Sequence, residues 1–474
     1  MRPSSDVPSR ARLASALQRR AGAIARGRTP GQALHDLAAF TRSQGVRATA
    51  FRSAFEAARM LAPPGTSVLT DPPAPAEPRN PPIDHHAYSV AMHPFYNLDP
   101  RALGANREIV GRFGERPSTV RTTTWFVPYF EHVFYGGIHT ILRFMSWART
   151  ERDVEHRIVF YDEPPISEAA MRRRIAGAFP ALSDVDIVLP PRGTAPNVLE
   201  EELPPTDVAF CTLWYSAYPL ARFNATKAKF YFVQDFEPAF YPAGTLYGMA
   251  EATYRFGFAG LVNTPGLEPV YAAYGNPAIS FVPAVDVAEA RRSGTTPAEG
   301  PVRIAVYGRP GTDRNGFELL AASAVRLKAR FGDGVEILSA GEDWDPATYG
   351  LGGILENLGR LPSKEAVHEF YKTCDVGLCF MFSKHPSYQP LEYLAAGAAV
   401  VTNVNSATSW LLRDQETCLL TEPIPDTICD TVGRLVVDAD LRARLAGSGL
   451  DAVAQVHWDQ ELAKLWRFVT GPSG

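Results

Sequence analysis

Four stretches of the 474-residue chain place charged or hydroxyl-bearing side chains just where an apolar strand gives way to a helix. Such a junction exposes free backbone N–H groups at the positive end of the helix, which hold an anion well. The first stretch is His385-Pro-Ser-Tyr-Gln-Pro-Leu-Glu-Tyr-Leu-Ala-Ala-Gly-Ala-Ala-Val-Val401, read as a loop, a short helix and a buried strand. Pro390 suits the first turn, Gly397 ends the helix, and Ala399 to Val401 is a small-residue strand. Glu392 falls in the first turn beside N–H groups free to hold a phosphate, so its carboxylate is suited to accepting a hydrogen bond from a ribose hydroxyl. The second is the strand Val302 to Gly308 with Arg309 and Arg314 after it. Two guanidinium groups on a glycine-containing turn offer fixed forks of donors to a diphosphate, and position after a strand separates them from ordinary surface arginines.

The third stretch is the β-branched and aromatic run Arg121 to Pro128, then Tyr135-Gly136-Gly137 and a helix with Ile138, Ile141, Leu142 and Met145 in one stripe. Glycines here let backbone approach a ligand closely; the plain alternative is a tight turn with no ligand. The fourth, Gln234-Asp235-Phe236-Glu237, follows the strand Lys229 to Gln234. Asp235 and Glu237 can orient an acceptor hydroxyl, and either can equally cap a helix or hold a loop. An acid directly after an apolar strand has few structural reasons to be there, which favours function for Asp235.

The elements that must position these residues alternate along the chain. Strands are expected near 121–128, 157–161, 185–189, 208–212, 229–234, 260–263 and 279–283, then near 302–308, 335–338, 353–358, 376–380, 399–401 and 417–420, with helical patterns between most of them. Such alternation implies parallel sheets covered on both faces, with ligands at the carboxyl ends of the strands. The charged, glycine-containing stretch 284–301 reads as a linker between two α/β units, an N-terminal one over 119–290 and a C-terminal one over 300–456. Ser363 is placed to cap a helix ending near Thr373. Leu462, Leu465, Trp466 and Val469 give the segment 457–474 an amphipathic helical face.

Before the first unit the composition changes. The first thirty residues hold seven arginines and one acid, and the segment 1–61 is expected to be a basic helical extension, either a flexible tail or a contact for an acidic membrane surface. Eight prolines between Ala62 and Pro82 mark the region 62–118 as a linker or surface strap. His85, His86 and His93 lie close together, but beyond the adjacent Asp84 no closely spaced cysteine or acidic residue completes a site, so packing or solvent-facing roles fit better than a metal. A formal charge of −4 argues against a surface that coats nucleic acid, and no apolar run is long enough to cross a membrane. Five cysteines in mostly apolar contexts read as reduced core residues of a cytoplasmic protein.

Together these residues resemble the retaining glycosyltransferases of family 4. The family signature is a glutamate, seven residues, and a second glutamate that opens a helix before a buried strand. Glu392 matches the second glutamate and Gly397 the helix-ending glycine, whereas Lys384, followed by His385 and Pro386, stands where the first is found. More narrowly, Tyr231-Phe-Val-Gln-Asp-Phe-Glu-Pro-Ala-Phe-Tyr241, Tyr307-Gly-Arg-Pro310 and His385-Pro-Ser-Tyr388 resemble bacterial rhamnan-building rhamnosyltransferases. The likeness runs over about residues 120 to 465.

The resemblance implies the GT-B fold: two facing Rossmann-like domains with a deep cleft between them, here preceded by the helical extension, and a last helix that crosses back to the first domain. It implies a donor held by Gly136, Gly137, Gly308, Arg309, Arg314, Lys384, Ser387, Tyr388, Gln389, Leu391 and Glu392. His139, Gln234, Asp235 and Glu237 would lie on the acceptor side, with catalysis resting on Asp235, Arg309 and Arg314. The reaction implied is front-side transfer of a sugar, L-rhamnose from dTDP-L-rhamnose, to a lipid-linked surface glycan, with no metal and no cofactor beyond the nucleotide-sugar. The reduced cysteines place the chain in the cytoplasm, and the basic N-terminus would make it peripheral on the cytoplasmic face of the inner membrane. Two rivals stay open. A GT-B sugar-nucleotide epimerase would use the same phosphate site, and a catalytically silent glycan-binding or scaffold protein would keep the fold with Lys384 in place of the lost glutamate.

Overall fold

The structure, a computed structural model, describes residues 97–134, 136–161, 166–190, 200, 202–291 and 300–471. The basic extension 1–61, the proline-rich segment 62–82, His85, His86, His93, Tyr135 and residues 292–299 of the expected interdomain linker lie outside the described residues. The short segment Asp345–Gly352 is assigned to a separate unit; in it Asp345 caps the turn Pro346–Tyr349 by accepting from the Ala347 N–H at 2.9 Å.

Two parallel sheets carry the fold. The first contains β1 (Thr122–Val127), β2 (Glu155–Phe160), β3 (Asp186–Val188), β4 (Thr206–Cys211), β5 (Thr226–Val233), β6 (Ala259–Asn263) and β7 (Ala278–Phe281), in the order β3-β2-β1-β4-β5-β6-β7. The second contains β8 (Val302–Gly308), β9 (Val335–Gly341), β10 (Glu356–Asn357), β11 (Val376–Leu378), β12 (Ala399–Asn403) and β13 (Leu419–Thr421), in the order β10-β9-β8-β11-β12-β13. Their strands are almost wholly apolar because both faces are covered: Trp125, Phe210, Phe230 and Phe232 pack on one side of the first sheet, and Phe126, Ala209, Tyr231 and Val233 on the other. The second sheet divides in the same way, with Ala305, Leu338 and Val400 on one face and Ile304, Ile337 and Val401 on the other.

In each sheet the strand order reverses between the first strand and its non-sequential neighbour, β1 beside β4 and β8 beside β11. Loops leaving the carboxyl ends of such neighbours diverge to opposite faces and open a crevice, which is where open α/β sheets bind ligands. The glycines after β1, the arginines after β8 and the loop after β11 all sit at these reversals. The alternation in the sequence therefore gives the two Rossmann-like domains, although the strand expected over 353–358 shrinks to Glu356–Asn357 and that over 376–380 to Val376–Leu378.

The strap expected over 62–118 does not extend to its end. Residues 100–111 form α1 (Pro100–Gly111), capped by the Asp99 carboxylate and buried at Asn106 and Ile109. Its apolar stripe is short, so its helical period was hard to see, and a buried polar contact does part of the anchoring. The Lys229 ammonium, 2% exposed on β5, donates to Asn106 Oδ1 at 3.0 Å, to Asn224 Oδ1 at 3.1 Å and to the Ala221 carbonyl at 3.1 Å. The other helices used below are α2 (Gly136–Arg152), α3 (Trp214–Arg222), α4 (Phe317–Phe331), α5 (Lys364–Lys372), α6 (Gln389–Ala396) and α7 (Trp458–Val469).

Helix α7 packs on the first domain. Leu462, Leu465, Trp466 and Val469 enter the core of the first sheet, Glu461 accepts from the Val282 N–H at 2.8 Å, and Arg116 donates to the Phe468 carbonyl at 3.0 Å. Ser363 caps α5 through the Ala366 N–H. All five cysteines are free and buried. Among the described residues no helix is long and apolar enough to cross a membrane.

Candidate active site

Helix α6 is built as its sequence dictates. Pro390 sits in the first turn, and Gly397 takes a left-handed φ of 83° that lets the N–H groups of Gly397 and Ala398 close on the Leu394 and Tyr393 carbonyls. Glu392 is half-buried in the first turn, and burial pushes its carboxyl up to about 7, with Lys364 acting against that rise. Leu391 does not face a donor, because its side chain is 1% exposed in the second-domain core and only its backbone is placed to contribute. Ser387 has a φ of 54°, and its hydroxyl donates to Gln389 Oε1, so these two hold each other at the helix entry. Lys384 is exposed on the loop before them.

The two arginines leave β8 in different settings. Arg309 lies over the Tyr307 ring with 5.5 Å to its centroid and donates to the Tyr307 hydroxyl at 3.2 Å. Arg314 reaches the first domain, with its guanidinium 5.0 Å from the Phe240 ring centroid. At Gly308 a Cβ would stand 2.1 Å from Ser339 Oγ, and the Gly308 carbonyl accepts from the Trp344 indole at 3.0 Å. Close packing of β8 on β9 explains that glycine.

Across the cleft, Asp235 is 3% exposed at the end of β5. One oxygen accepts from its neighbour Phe236 N–H at 2.7 Å and the other from the Ser383 hydroxyl of the second domain at 2.9 Å. Burial pushes its carboxyl up to about 6, while Ser383 and the nearby positive charge of Arg314 oppose the rise. The site thus gathers an acid from one domain and a hydroxyl and a guanidinium from the other.

The double glycine is occupied. A Cβ on Gly136 would lie 2.7 Å from the Tyr388 ring, and one on Gly137 would lie 3.0 Å from the Gln234 amide, which donates to the Gly137 carbonyl at 3.1 Å. Tyr388 also shares a hydrogen bond of 2.6 Å with Thr140 on α2. Gly136 thus lets Tyr388 of the second domain approach, while Gly137 packs against Gln234 of its own domain. His139 is turned to the Val133 carbonyl and to Arg143, and burial together with the positive charges of Arg143 and Lys364 brings its imidazole down to about 4, so it is neutral near pH 7. Beside it, Asp286 accepts from both Arg143 of the first domain at 3.1 Å and Lys364 of the second at 2.7 Å.

Glu237 is corrected from acceptor to frame. It is 1% exposed and accepts from the Trp214 N–H at 2.5 Å, in the first turn of α3, and from the Tyr231 hydroxyl at 2.8 Å. Burial drives its carboxyl up to about 8 from its ordinary 4.5. The folded chain therefore keeps a proton that the unfolded chain loses, so this group's contribution is complete below pH 4.5 and is lost as pH rises through 8. We expect Glu237→Gln, which keeps an acceptor for both donors, to fold, to retain activity, and to remove a decline of up to about 1.4 kcal/mol per pH unit between those limits. Thermal unfolding from pH 5 to 8 measures it. A variant as stable as wild type but inactive would return Glu237 to the acceptor side.

Sequence reasoning missed Ser383, Thr140, Arg143, Asp286, Lys364 and Gly266, whose partners are far away in the chain. A Cβ on Gly266 would stand 1.8 Å from the Ser406 carbonyl oxygen, the shortest such distance among the described glycines. The turn that carries it begins at Thr264, a β-branched residue at a φ of 83°. Among the described residues no group of three or more His, Cys, Asp or Glu side chains is gathered to hold a metal.

Comparison with known proteins agrees with this fold. Residues 127–261 match the family "WsaF, N-terminal domain" and residues 302–433 the family "WsaF, C-terminal domain". The chain carries both WsaF domains on a GT-B glycosyltransferase fold. It is 43% identical over 352 residues, 73% of its length, to the O-antigen biosynthesis protein RfbC of Myxococcus xanthus, and the match spans 27% of that longer protein. Among solved structures it is similar to HepE of Anabaena in complex with UDP-glucose, with a TM-score of 0.57 and 12% identity over 73% of this chain and 99% of that one. Sucrose-phosphate synthase of Thermosynechococcus elongatus gives a TM-score of 0.57 and 13% identity over 73% and 98%.

Proposed function

We propose that the WsaF-domain chain transfers a sugar from a nucleotide-sugar, dTDP-L-rhamnose, to a surface glycan, with retention of the anomeric configuration. The observation that carries this reading is the convergence of Arg314, Ser383 and Asp235 where the carboxyl ends of the two sheets meet. Positive groups there would stabilise a departing diphosphate, and a carboxyl near pH 6 would orient the acceptor hydroxyl. Glu392 at the start of α6 would take the ribose, leaving the N–H groups of that turn for phosphate. In front-side transfer the donor phosphate helps to take the acceptor proton, so no protein nucleophile is needed. The relative in O-antigen biosynthesis supports a glycan acceptor, and the rhamnosyl assignment rests on the resemblance of the stretches 231–241, 307–310 and 385–388. A lipid-linked acceptor and a peripheral place on the cytoplasmic face of the membrane complete the proposal.

A thermal-shift panel of dTDP, UDP and GDP tests it. At a hundred times its dissociation constant the true nucleotide should add about 2.7 kcal/mol of stability. We expect dTDP to do so. Stabilisation by UDP alone, the nucleotide in the HepE complex, would replace the donor; binding without transfer to any added glycan would favour the epimerase or the silent protein.

A further inference from the structure

The loop after β11 brings Ser383 to Asp235, and within the loop the Ser387 N–H donates to His385 Nδ1 at 2.9 Å, which leaves the part around Ser383 to be held by other segments. It has no regular structure from Cys379 to Tyr388, and it includes a non-glycine residue, Ser387, in the left-handed region. From outside, the Arg314 carbonyl accepts from the Phe382 N–H at 2.9 Å and the Asn315 amide donates to the Phe380 carbonyl at 3.2 Å, but most of its contacts come from two amides, Asn403 at the end of β12 and Asn405 just after it. Asn403 accepts from the Met381 N–H at 2.9 Å and donates to the Met381 carbonyl at 3.0 Å. Asn405 does more. Its Nδ2 lies 3.0 Å from the Met381 carbonyl, 2.9 Å from that of Ser383 and 3.1 Å from that of His385, and its Oδ1 accepts from the Ala407 N–H at 2.9 Å.

Three carbonyls from alternate residues, all aimed at one nitrogen, are a concentration of negative dipoles that only a donor can hold together. Two amide hydrogens shared among three acceptors serve that purpose, and the Ala407 contact fixes which end of the side chain faces them. Gathering the carbonyls of Met381, Ser383 and His385 fixes the backbone on both sides of Ser383, and with it the direction in which the Ser383 side chain is sent. The same short turn presents the Ser406 carbonyl to Gly266 of the first domain. One side chain therefore links the shape of the loop to the contact between the domains.

We propose that Asn405 is a positioning residue that acts through the 381–387 loop to hold Ser383 on Asp235. Its catalytic consequence rests on the transferase reading above, whereas its effect on the loop does not. The test pairs Asn405→Asp with Asn405→Ala and follows both hydrogen exchange in the loop and sugar transfer. In Asn405→Asp an ionised carboxylate faces three carbonyl oxygens, so near pH 8 the Met381, Phe382 and Ser387 amides should exchange at least tenfold faster than in wild type. Transfer should fall by at least tenfold. Acidification toward pH 5 protonates the new carboxyl, whose pKa these dipoles raise, and should restore much of both. Asn405→Ala should show the losses at every pH.

Asp235, Arg314, Lys384 and His385 are the titratable groups on or facing this loop, so each variant is compared with wild type at the same pH. Ser383→Ala should lower transfer without changing exchange. Added to Asn405→Ala, it should cost little more than either change alone, because both cut one chain of contacts. Unchanged loop exchange in folded Asn405 variants overturns the proposal, as does a fast-exchanging loop with wild-type transfer, or full additivity with Ser383→Ala. If wild type transfers no sugar, the transferase reading fails on that result, while exchange still decides whether Asn405 holds the loop.

Discussion

Replacing Arg314 with alanine should lower turnover about a hundredfold, roughly 2.7 kcal/mol of lost transition-state stabilisation, with a smaller effect on donor binding. Negative charge grows on the departing diphosphate as the glycosidic bond breaks, so a guanidinium aimed at its oxygens interacts more strongly in the transition state than in the ground state. Arg314 is held for this by the Phe240 ring of the opposite domain and stands close enough to Asp235 to counter the rise in its pKa. Arg314→Lys keeps the charge but loses the planar stacking and the fork of donors, and should fall between wild type and alanine. Arg309→Ala should also reduce turnover about a hundredfold, since Tyr307 keeps that guanidinium at the mouth of β8. Steady-state kinetics with circular dichroism as a folding control measures these effects. Near wild-type transfer by both folded alanine variants would mean that the diphosphate is held elsewhere.

Adding one methyl group at Gly266 should reduce transfer by more than tenfold while leaving nucleotide binding within a fewfold of wild type. The new Cβ would stand 1.8 Å from the Ser406 carbonyl oxygen and 2.8 Å from the Ala407 Cα. Both neighbours are backbone, so no change of rotamer relieves the overlap, and the domains must part. Parting stretches the Ser383–Asp235 and Tyr388–Thr140 hydrogen bonds, 2.9 and 2.6 Å in the closed arrangement. The residues proposed to hold the nucleotide, Arg309, Arg314 and Glu392, stay together in the second domain. Gly266→Ala should therefore separate transfer from binding. Small-angle scattering should show a larger radius of gyration, and thermal shift with nucleotide should keep most of its size. Full transfer by the folded variant would show that this contact has no part in assembling the site.

Much of this arrangement was legible in local pattern. Apolar strands alternating with helical stripes require parallel sheets with two covered faces, and β1 to β13 follow from that pattern with ends trimmed by a few residues. Pro390, Gly397 and Ser363 mark helix ends through chemistry confined to a few neighbouring residues, so the sequence alone locates α5 and α6. Arg309 and Arg314 were recognisable because a strand ended just before them. α1 escaped notice because its buried face is narrow and partly polar.

Only the tertiary structure decided how the acids and glycines divide their work. Asp235 and Glu237 look alike in sequence, two acids after one strand, but their backbone positions aim one at Ser383 across the cleft and the other into the first-domain interior at Trp214 and Tyr231. Gly136, Gly137 and Gly308 read as openings for a ligand; in the fold their missing side chains make room for Tyr388, Gln234 and Ser339. The pairs that join the domains, Asp235 with Ser383 and Thr140 with Tyr388, are separated by 148 and 248 residues. Periodicity and capping act over one or two turns of chain, so they fix the elements. They carry no information about which side chain meets another where the two sheets of the chain face each other, and that meeting is what assembles this site.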